Sequence, residues 1–345
     1  MTQTPGSGPP HPGPTPWVVT LRRWWERWVS TIACLTVSAL ATVALLWLRS
    51  RSQQTWLGQA LDEVGMDRVV GDESTTRRLV GLLGTVSVVS IGVVVAGLVV
   101  VALLRRRVSA AVAAVVLVGG ANLLTQLLKA VTERPDFGYL VVPSFPSGHA
   151  TVVTSLVMAA LLVTPQAVRA TVSLLGTAAV TVTGGATLVA SWHRPSDVLG
   201  AVLVCLAWGC LVIACWSVLR GGVPRSGPAR HRLFSLLGVV VASALLLAAG
   251  VRPGGGWAGF LDAAVVLAVL GAVAVLAVAT FAHLSAPMAI SEVGRDLLPE
   301  PGPPAEPPRA PASPPGPGGP APPPPPGAPG APVRPGAAAQ VPGDG

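Results

Sequence analysis

Charge is scarce in this chain, and lysine is almost absent from it. Charged side chains make up 11% of the 345 residues and hydrophobic ones 51%, whereas a soluble domain carries about 25% charged residues. From Leu79 to Leu104 there is no ionisable side chain at all. A helix of about 20 apolar residues crosses a hydrocarbon core of about 30 Å, so this run is long enough to span. Several such runs exclude the pair of soluble domains that length alone would allow. Cysteine is also sparse. Cys34, Cys205, Cys210 and Cys215 all lie inside apolar runs without CxxC spacing, and are read as small core hydrophobes rather than disulfide or metal partners. A cleavable leader is not expected either. The first apolar run is too long for a signal-peptide core and no cleavage site follows it, so it stays as a span.

What is present is a repeated apolar pattern. Eight runs, at roughly 28–48, 79–104, 108–128, 148–164, 168–191, 196–218, 233–250 and 258–283, predict an all-α integral membrane protein. The runs at 148–164 and 168–191 are short or broken by Gly and Thr, which suits helices packed against protein. Four regions result: a disordered basic tail over 1–27, a six-span core over 28–220, two additional spans over 221–285, and a Pro/Gly/Ala-rich disordered tail over 286–345. The run Pro322–Pro326 favours polyproline II, as a partner-docking segment or simply a solvated spacer.

The net charge of +8 does not point to nucleic acid, because many of the basic residues sit in short loops between apolar runs. Arg22, Arg23 and Arg27, then Arg105–Arg107, then Arg220, Arg225, Arg230 and Arg232 fall on one side if eight helices alternate. That side is expected to be cytoplasmic, with both termini on it, in a bacterial-type cell membrane. Residues 49–78 conflict with this, since they carry five Arg, with five Asp and Glu among them, on the opposite side. Loops 129–147 and 192–197 share that extracytoplasmic side.

Three polar clusters stand at ends of apolar runs. Lys129 is the chain's one lysine and precedes Arg134-Pro135. Asn122, Gln126 and Lys129 fall at i, i+4 and i+7, a polar stripe that should face protein or a wet cavity. Pro146-Ser147-Gly148-His149 opens a run as an anion cradle would, with free backbone N–H groups and a glycine that lets an oxyanion approach; a plain turn and cap fits equally well. His193 and Asp197 are four apart and so share a face on a helix, where the carboxylate can fix the imidazole tautomer. A capping Asp beside an interfacial His is the plainer alternative. Together, two His, cations and an Asp on one side suit metal-free phosphoryl transfer, with cations holding the oxygens, one His attacking phosphorus and the other protonating the leaving oxygen.

From about Asn122 to Leu199 the sequence resembles the type 2 phosphatidic acid phosphatase family, whose pattern is Lys before Arg-Pro, then Pro-Ser-Gly-His, then Ser-Arg leading to His-x-x-x-Asp. The resemblance implies a six-helix lipid-phosphatase-like bundle, here followed by two extra C-terminal transmembrane helices. It implies His193 as nucleophile forming a phosphohistidine, Asp197 orienting it, and His149 as general acid. Lys129, Arg134, Ser147 and Gly148 become phosphate ligands, with no metal or other cofactor. Vanadium haloperoxidases share such a site but are soluble. Two departures stand out: four residues separate Lys129 from Arg134 where the family usually has six, and Ala186-Thr187 replaces the Ser-Arg pair. Arg194 is the candidate substitute for that missing Arg. The expected function is a phosphohydrolase acting on a lipid phosphate or diphosphate at the extracytoplasmic face. The alternative is a catalytically impaired protein that binds lipid phosphates without turnover. A scaffold whose Pro-rich tail is the working part is a third reading.

Overall fold

All eight apolar runs form helices; one shorter helix lies within the charged segment between the first and second runs, and another begins there and enters the second run. The computed structural model describes residues 16–139, 144–220 and 230–286. The far N-terminal residues, Arg225, and the Pro-rich segment with Pro322–Pro326 lie outside the described residues.

The order is α1 (Pro16–Ser52), α2 (Trp56–Asp67), β1 (Val69–Val70), α3 (Glu73–Gly84), α4 (Val88–Leu104), α5 (Val108–Val131), α6 (Gly148–Val163), α7 (Gln166–Val189), α8 (Pro195–Arg220), α9 (Arg230–Ala249), β2 (Arg252–Pro253) and α10 (Phe260–Leu284). Among the described residues six helices are long and apolar enough to cross a membrane, seven if the bent pair α3 and α4 is counted as one span, while α6 is a shorter apolar helix. The fold is therefore an all-α membrane protein. α7 and α8 are the most buried spans, while α1 and α9 present more of their surface outward. α1 lies on α8, α5 on α6, and α9 on α7, with α10 closing against α7, α8 and α9. The inward reading of α6 and α7 holds: Met158, Leu161 and Leu162 of α6 and Val180 and Leu188 of α7 are buried.

Small residues set these distances. A Cβ at Gly238 of α9 would come within 2.4 Å of the Leu174 carbonyl oxygen of α7, so only glycine allows this approach. At Gly120 of α5 a Cβ would lie 2.3 Å from the Trp208 indole, whose Nε1–H donates to the Val116 carbonyl at 3.0 Å.

Two expectations change. The run at 79–104 is not one straight span: the pair α3 and α4 is bent by 56°. Hydroxyls supply the reason. Ser87 caps α4 by accepting from Ser90 N–H at 3.2 Å, Ser90 Oγ accepts from Ser87 N–H at 2.9 Å, and Thr85 Oγ1 donates to the Leu82 carbonyl at 2.7 Å. These bonds satisfy backbone groups that a continuous helix would have paired itself. The second change is at the N-terminus, where residues 16–27, expected within a disordered tail, continue α1. Pro16 suits a first helical position, and Trp17, Trp24, Trp25 and Trp28 stay largely exposed along this start of the helix, as tryptophans do at membrane interfaces. Cys34, Cys205 and Cys210 are buried as expected, whereas Cys215 faces outward.

The five-arginine segment turns out to be folded against the rest. β1 pairs antiparallel with β2 through Val69–Pro253 and Val70–Arg252, and Arg68 meets Asp262 at 3.3 Å. α2 is amphipathic in the reverse sense of a soluble helix: Gln59 and Asp62 are buried, while Trp56, Leu57 and Leu61 are exposed.

Candidate active site

The site is built where one end of α5 meets the starts of α6 and α8. Pro195 begins α8 and Asp197 sits in its first turn. Asp197 Oδ2 accepts the Arg194 backbone N–H at 3.0 Å and lies 3.4 Å from His193 Nδ1. A third-position carboxylate reaching back to the residue before the helix is half of a capping box. His193 is thus held not on the helix itself, as its spacing suggested, but in the turn before it. That turn is fixed from α7 as well, because the Thr187 carbonyl accepts from Trp192 N–H at 3.1 Å and His193 N–H at 3.3 Å. Asp197 is fully buried and His193 nearly so. The carboxylate can hold Nδ1 protonated and leave Nε2 with its lone pair free.

α6 opens at Gly148, with Ser147 as its cap, accepting from Ala150 N–H at 3.4 Å. Ser147 N–H donates to the Asp197 carbonyl at 2.9 Å, which stitches this turn to the start of α8. The ring of His149 lies 5.4 Å from that of Trp192, centroid to centroid. Lys129 comes down from the last turn of α5, and a Cβ on Gly148 would sit 3.8 Å from its Nζ. Among the described residues Lys129 has no ion-pair partner.

Lys129, Gly148, His149 and His193 line one cavity of about 530 Å³, together with Gln126 and Asn122 deeper on α5. Apolar side chains complete it, among them Val86, Val88 and Ile91 around the α3–α4 bend. Four of the seven expected site residues therefore converge on one space. Ser147 and Asp197 stand behind it, fully buried, as supports. Arg134 is buried but does not line it. Its Nη1 donates to Gln53 Oε1 at 3.2 Å, while Nε and Nη2 have no hydrogen-bond partner among the described residues. Burial, and then Arg194 nearby, pulls the Arg134 pKa down from its usual value, opposed by Asp197, Asp62 and Glu63.

Residues the sequence reading did not single out come from the end of α1 and from α2. Asp62 accepts from Ser196 N–H at 3.1 Å and from the Ser196 hydroxyl. Glu63 Oε2 meets Arg194 Nε at 3.0 Å. Gln53 donates to Ser196 Oγ at 3.2 Å, and Gln59 donates to the Pro135 carbonyl at 3.0 Å. Burial pushes the Asp62 carboxyl up to about 7; hydrogen bonds from Ser196 oppose this and the nearby Asp197 adds to it. The signal for this helix was the spacing of Leu57, Leu61 and Val64 against Gln59, Asp62 and Glu63, hidden within a segment rich in charge.

Thr187 occupies part of the place of the missing Ser-Arg pair, and its hydroxyl donates to the Gly184 carbonyl at 2.8 Å. No cation enters from that position. Among the described residues no three His, Cys, Asp or Glu side chains come together as a metal site.

The fold and the site thus define an all-α membrane protein with a His- and Lys-lined cavity at one end of its central helices. Residues 107–221 match the family model of the PAP2 superfamily, a segment that contains α5 to α8 and every expected site residue. The matched third of the chain is thus similar to the PAP2 superfamily, consistent with a type 2 phosphatidic acid phosphatase-like protein, and that superfamily implies phosphatase-type activity on phosphate esters. Comparison with curated proteins and with solved structures gives no match.

Proposed function

We propose that this protein is a membrane phosphohydrolase that removes phosphate from a lipid phosphate or diphosphate at the extracytoplasmic face, through a phosphohistidine. The observation that carries the reading is the single cavity onto which Lys129, Gly148, His149 and His193 converge, with His193 Nδ1 beside the buried Asp197. Its apolar wall between α4 and α5 suits a hydrocarbon chain next to the phosphate.

In the first step His193 Nε2 attacks phosphorus, the bond from phosphorus to the ester oxygen breaks, and protonated His149 gives that oxygen its proton. In the second step neutral His149 takes a proton from water, whose oxygen attacks phosphorus and releases inorganic phosphate from His193. Lys129, the α6 N-terminus at Gly148, and Arg134 are the groups proposed to stabilise the anionic oxygens. Arg105, Arg106 and Arg107 stand at the opposite end of α5 from Lys129, which supports an extracytoplasmic site with cytoplasmic termini.

The test is phosphate release from a panel of lipid phosphates by the purified protein, with His193→Ala alongside. Release that disappears in the variant, with a phosphohistidine trapped in the wild type, supports the reading; release unchanged in His193→Ala rejects the mechanism. One observation favours the second reading, lipid-phosphate binding without turnover: Thr187 brings no cation, and Arg194 is paired with Glu63. That reading expects lipid-phosphate binding that survives His193→Ala, with no phosphohistidine formed.

A further inference from the structure

The wall of the cavity formed by α5 is graded. Along a helix rising about 1.5 Å per residue, Gln126 lies roughly 5 Å and Asn122 roughly 10 Å back from Lys129 toward the start of α5. Both line the cavity below the cationic end. An amide at that depth in a membrane span is costly unless it finds a partner. Asn122 has its partners: its Nδ2 donates to the Val118 carbonyl at 2.8 Å and to Ser155 Oγ at 3.3 Å. Gln126 is exposed to the cavity, and no protein hydrogen bond takes up its side chain among the described residues. Val86, Val88 and Ile91 line the same cavity. The cavity therefore presents a cation and two histidines, then an unused amide one turn deeper, beside an apolar wall.

We infer that Gln126 is a specificity-determining residue whose amide N–H donates to an ester carbonyl, so that the substrate is a diacylglycerol-type phosphate rather than a polyprenyl phosphate or diphosphate. The inference rests on the function proposed above. In a diacylglycerol phosphate the ester carbonyls follow the phosphate by a few bonds, roughly the rise of one helical turn. A polyprenyl chain is hydrocarbon from its first carbon and would cover Gln126 without pairing it. A site that leaves a buried polar group unpaired discriminates strongly against such a ligand.

The deciding comparison is kcat/KM for phosphate release from a diester phosphatidic acid, its dialkyl ether analogue with the same chains, and a polyprenyl phosphate. The full-length protein is assayed in mixed micelles as wild type and as Gln126→Leu. The wild type should prefer the diester over the diether by about tenfold, the scale of one neutral hydrogen bond, and Gln126→Leu should bring that ratio to about one. Equal use of diester and diether by the wild type overturns the inference, as does a Gln126→Leu variant that keeps the preference. Should Gln126→Leu fail to fold, the wild-type ratio alone decides. If no lipid phosphate is turned over, the proposed function fails instead. The same pair is then compared by thermal stabilisation of the wild type: a larger shift with the diester sustains the role of Gln126, and equal shifts end it.

Discussion

Replacing Asp62 by asparagine should make the protein less sensitive to rising pH. Asp62 is 6% exposed and its carboxyl is pushed from 3.8 to about 7, chiefly by burial. Because the folded pKa lies above the unfolded one, the folded state holds the proton more tightly. The group's contribution is therefore complete below pH 3.8 and lost as pH rises through about 7. The full window corresponds to about 4 kcal/mol, and the part between pH 5 and pH 8 to roughly 2.5 kcal/mol. The amide introduced by Asp62→Asn would keep an oxygen for Ser196 N–H but give the Ser196 hydroxyl a donor in place of its acceptor, a loss of about 1 kcal/mol. At pH 5 the wild type has already lost about 1.5 kcal/mol of that window, so the two should be nearly equal, the variant marginally ahead; at pH 8 the variant should be clearly the stronger. Apparent Tm in detergent, measured at both pH values, reads this directly. At roughly 2–4 °C per kcal/mol, the wild type should lose on the order of 5 °C more than Asp62→Asn between them. Parallel losses in the two proteins would show that ionisation of Asp62 is not resisted by the fold, and the reasoning would fail.

Two further substitutions test packing and site separately. Gly238→Ala places a methyl against the Leu174 carbonyl oxygen, backbone that cannot rotate away, so α9 must move off α7; a loss of about 1–3 kcal/mol is expected, seen as a lower apparent Tm. Lys129→Met keeps the length of a half-buried side chain that has no ion-pair partner among the described residues, so its Tm should stay within a degree or two while kcat/KM for phosphate release falls about 100-fold. A fall in Tm with unchanged kcat/KM would assign Lys129 a structural part instead.

The extent to which the sequence disclosed this arrangement follows from how each part earns its stability. The helices were legible because apolar runs free of charge have few other fates: all eight runs are helical, and among the described residues six helices, seven with the bent pair, are long and apolar enough to span. The convergence of Lys129, Gly148, His149 and His193 was legible because each stands at the end of a run, and alternating spans brought those ends to one side. The turn holding His193 was read too simply: i, i+4 spacing suggested a shared helical face, whereas Pro195 starts α8 only after it. α2 was hidden because its polar side faces inward. Gln59 and Asp62 there look like loop polarity until Ser196 and Pro135, distant in sequence, provide their partners. The bend between α3 and α4 depends on hydroxyls of Thr85, Ser87 and Ser90, which a hydropathy reading counts as mild interruptions.

α2 also bears on the missing arginine. Arg194 was the natural substitute, being adjacent to His193, but its Nε lies 3.0 Å from Glu63, and Asp62 in the same helix grips the neighbouring Ser196. Turning Arg194 toward a phosphate would leave the half-buried Glu63 without that partner, a cost that the new contact would have to exceed. Arg134 faces no such conflict: Nη1 is held by Gln53, and Nε and Nη2 remain without an acceptor among the described residues. A buried guanidinium with two such nitrogens is unfavourable as it stands, and an anion drawn up to it would relieve that cost. Of the two arginines near His193, Arg194 is built into the scaffold by α2, and Arg134 is the one whose geometry still calls for an anionic partner.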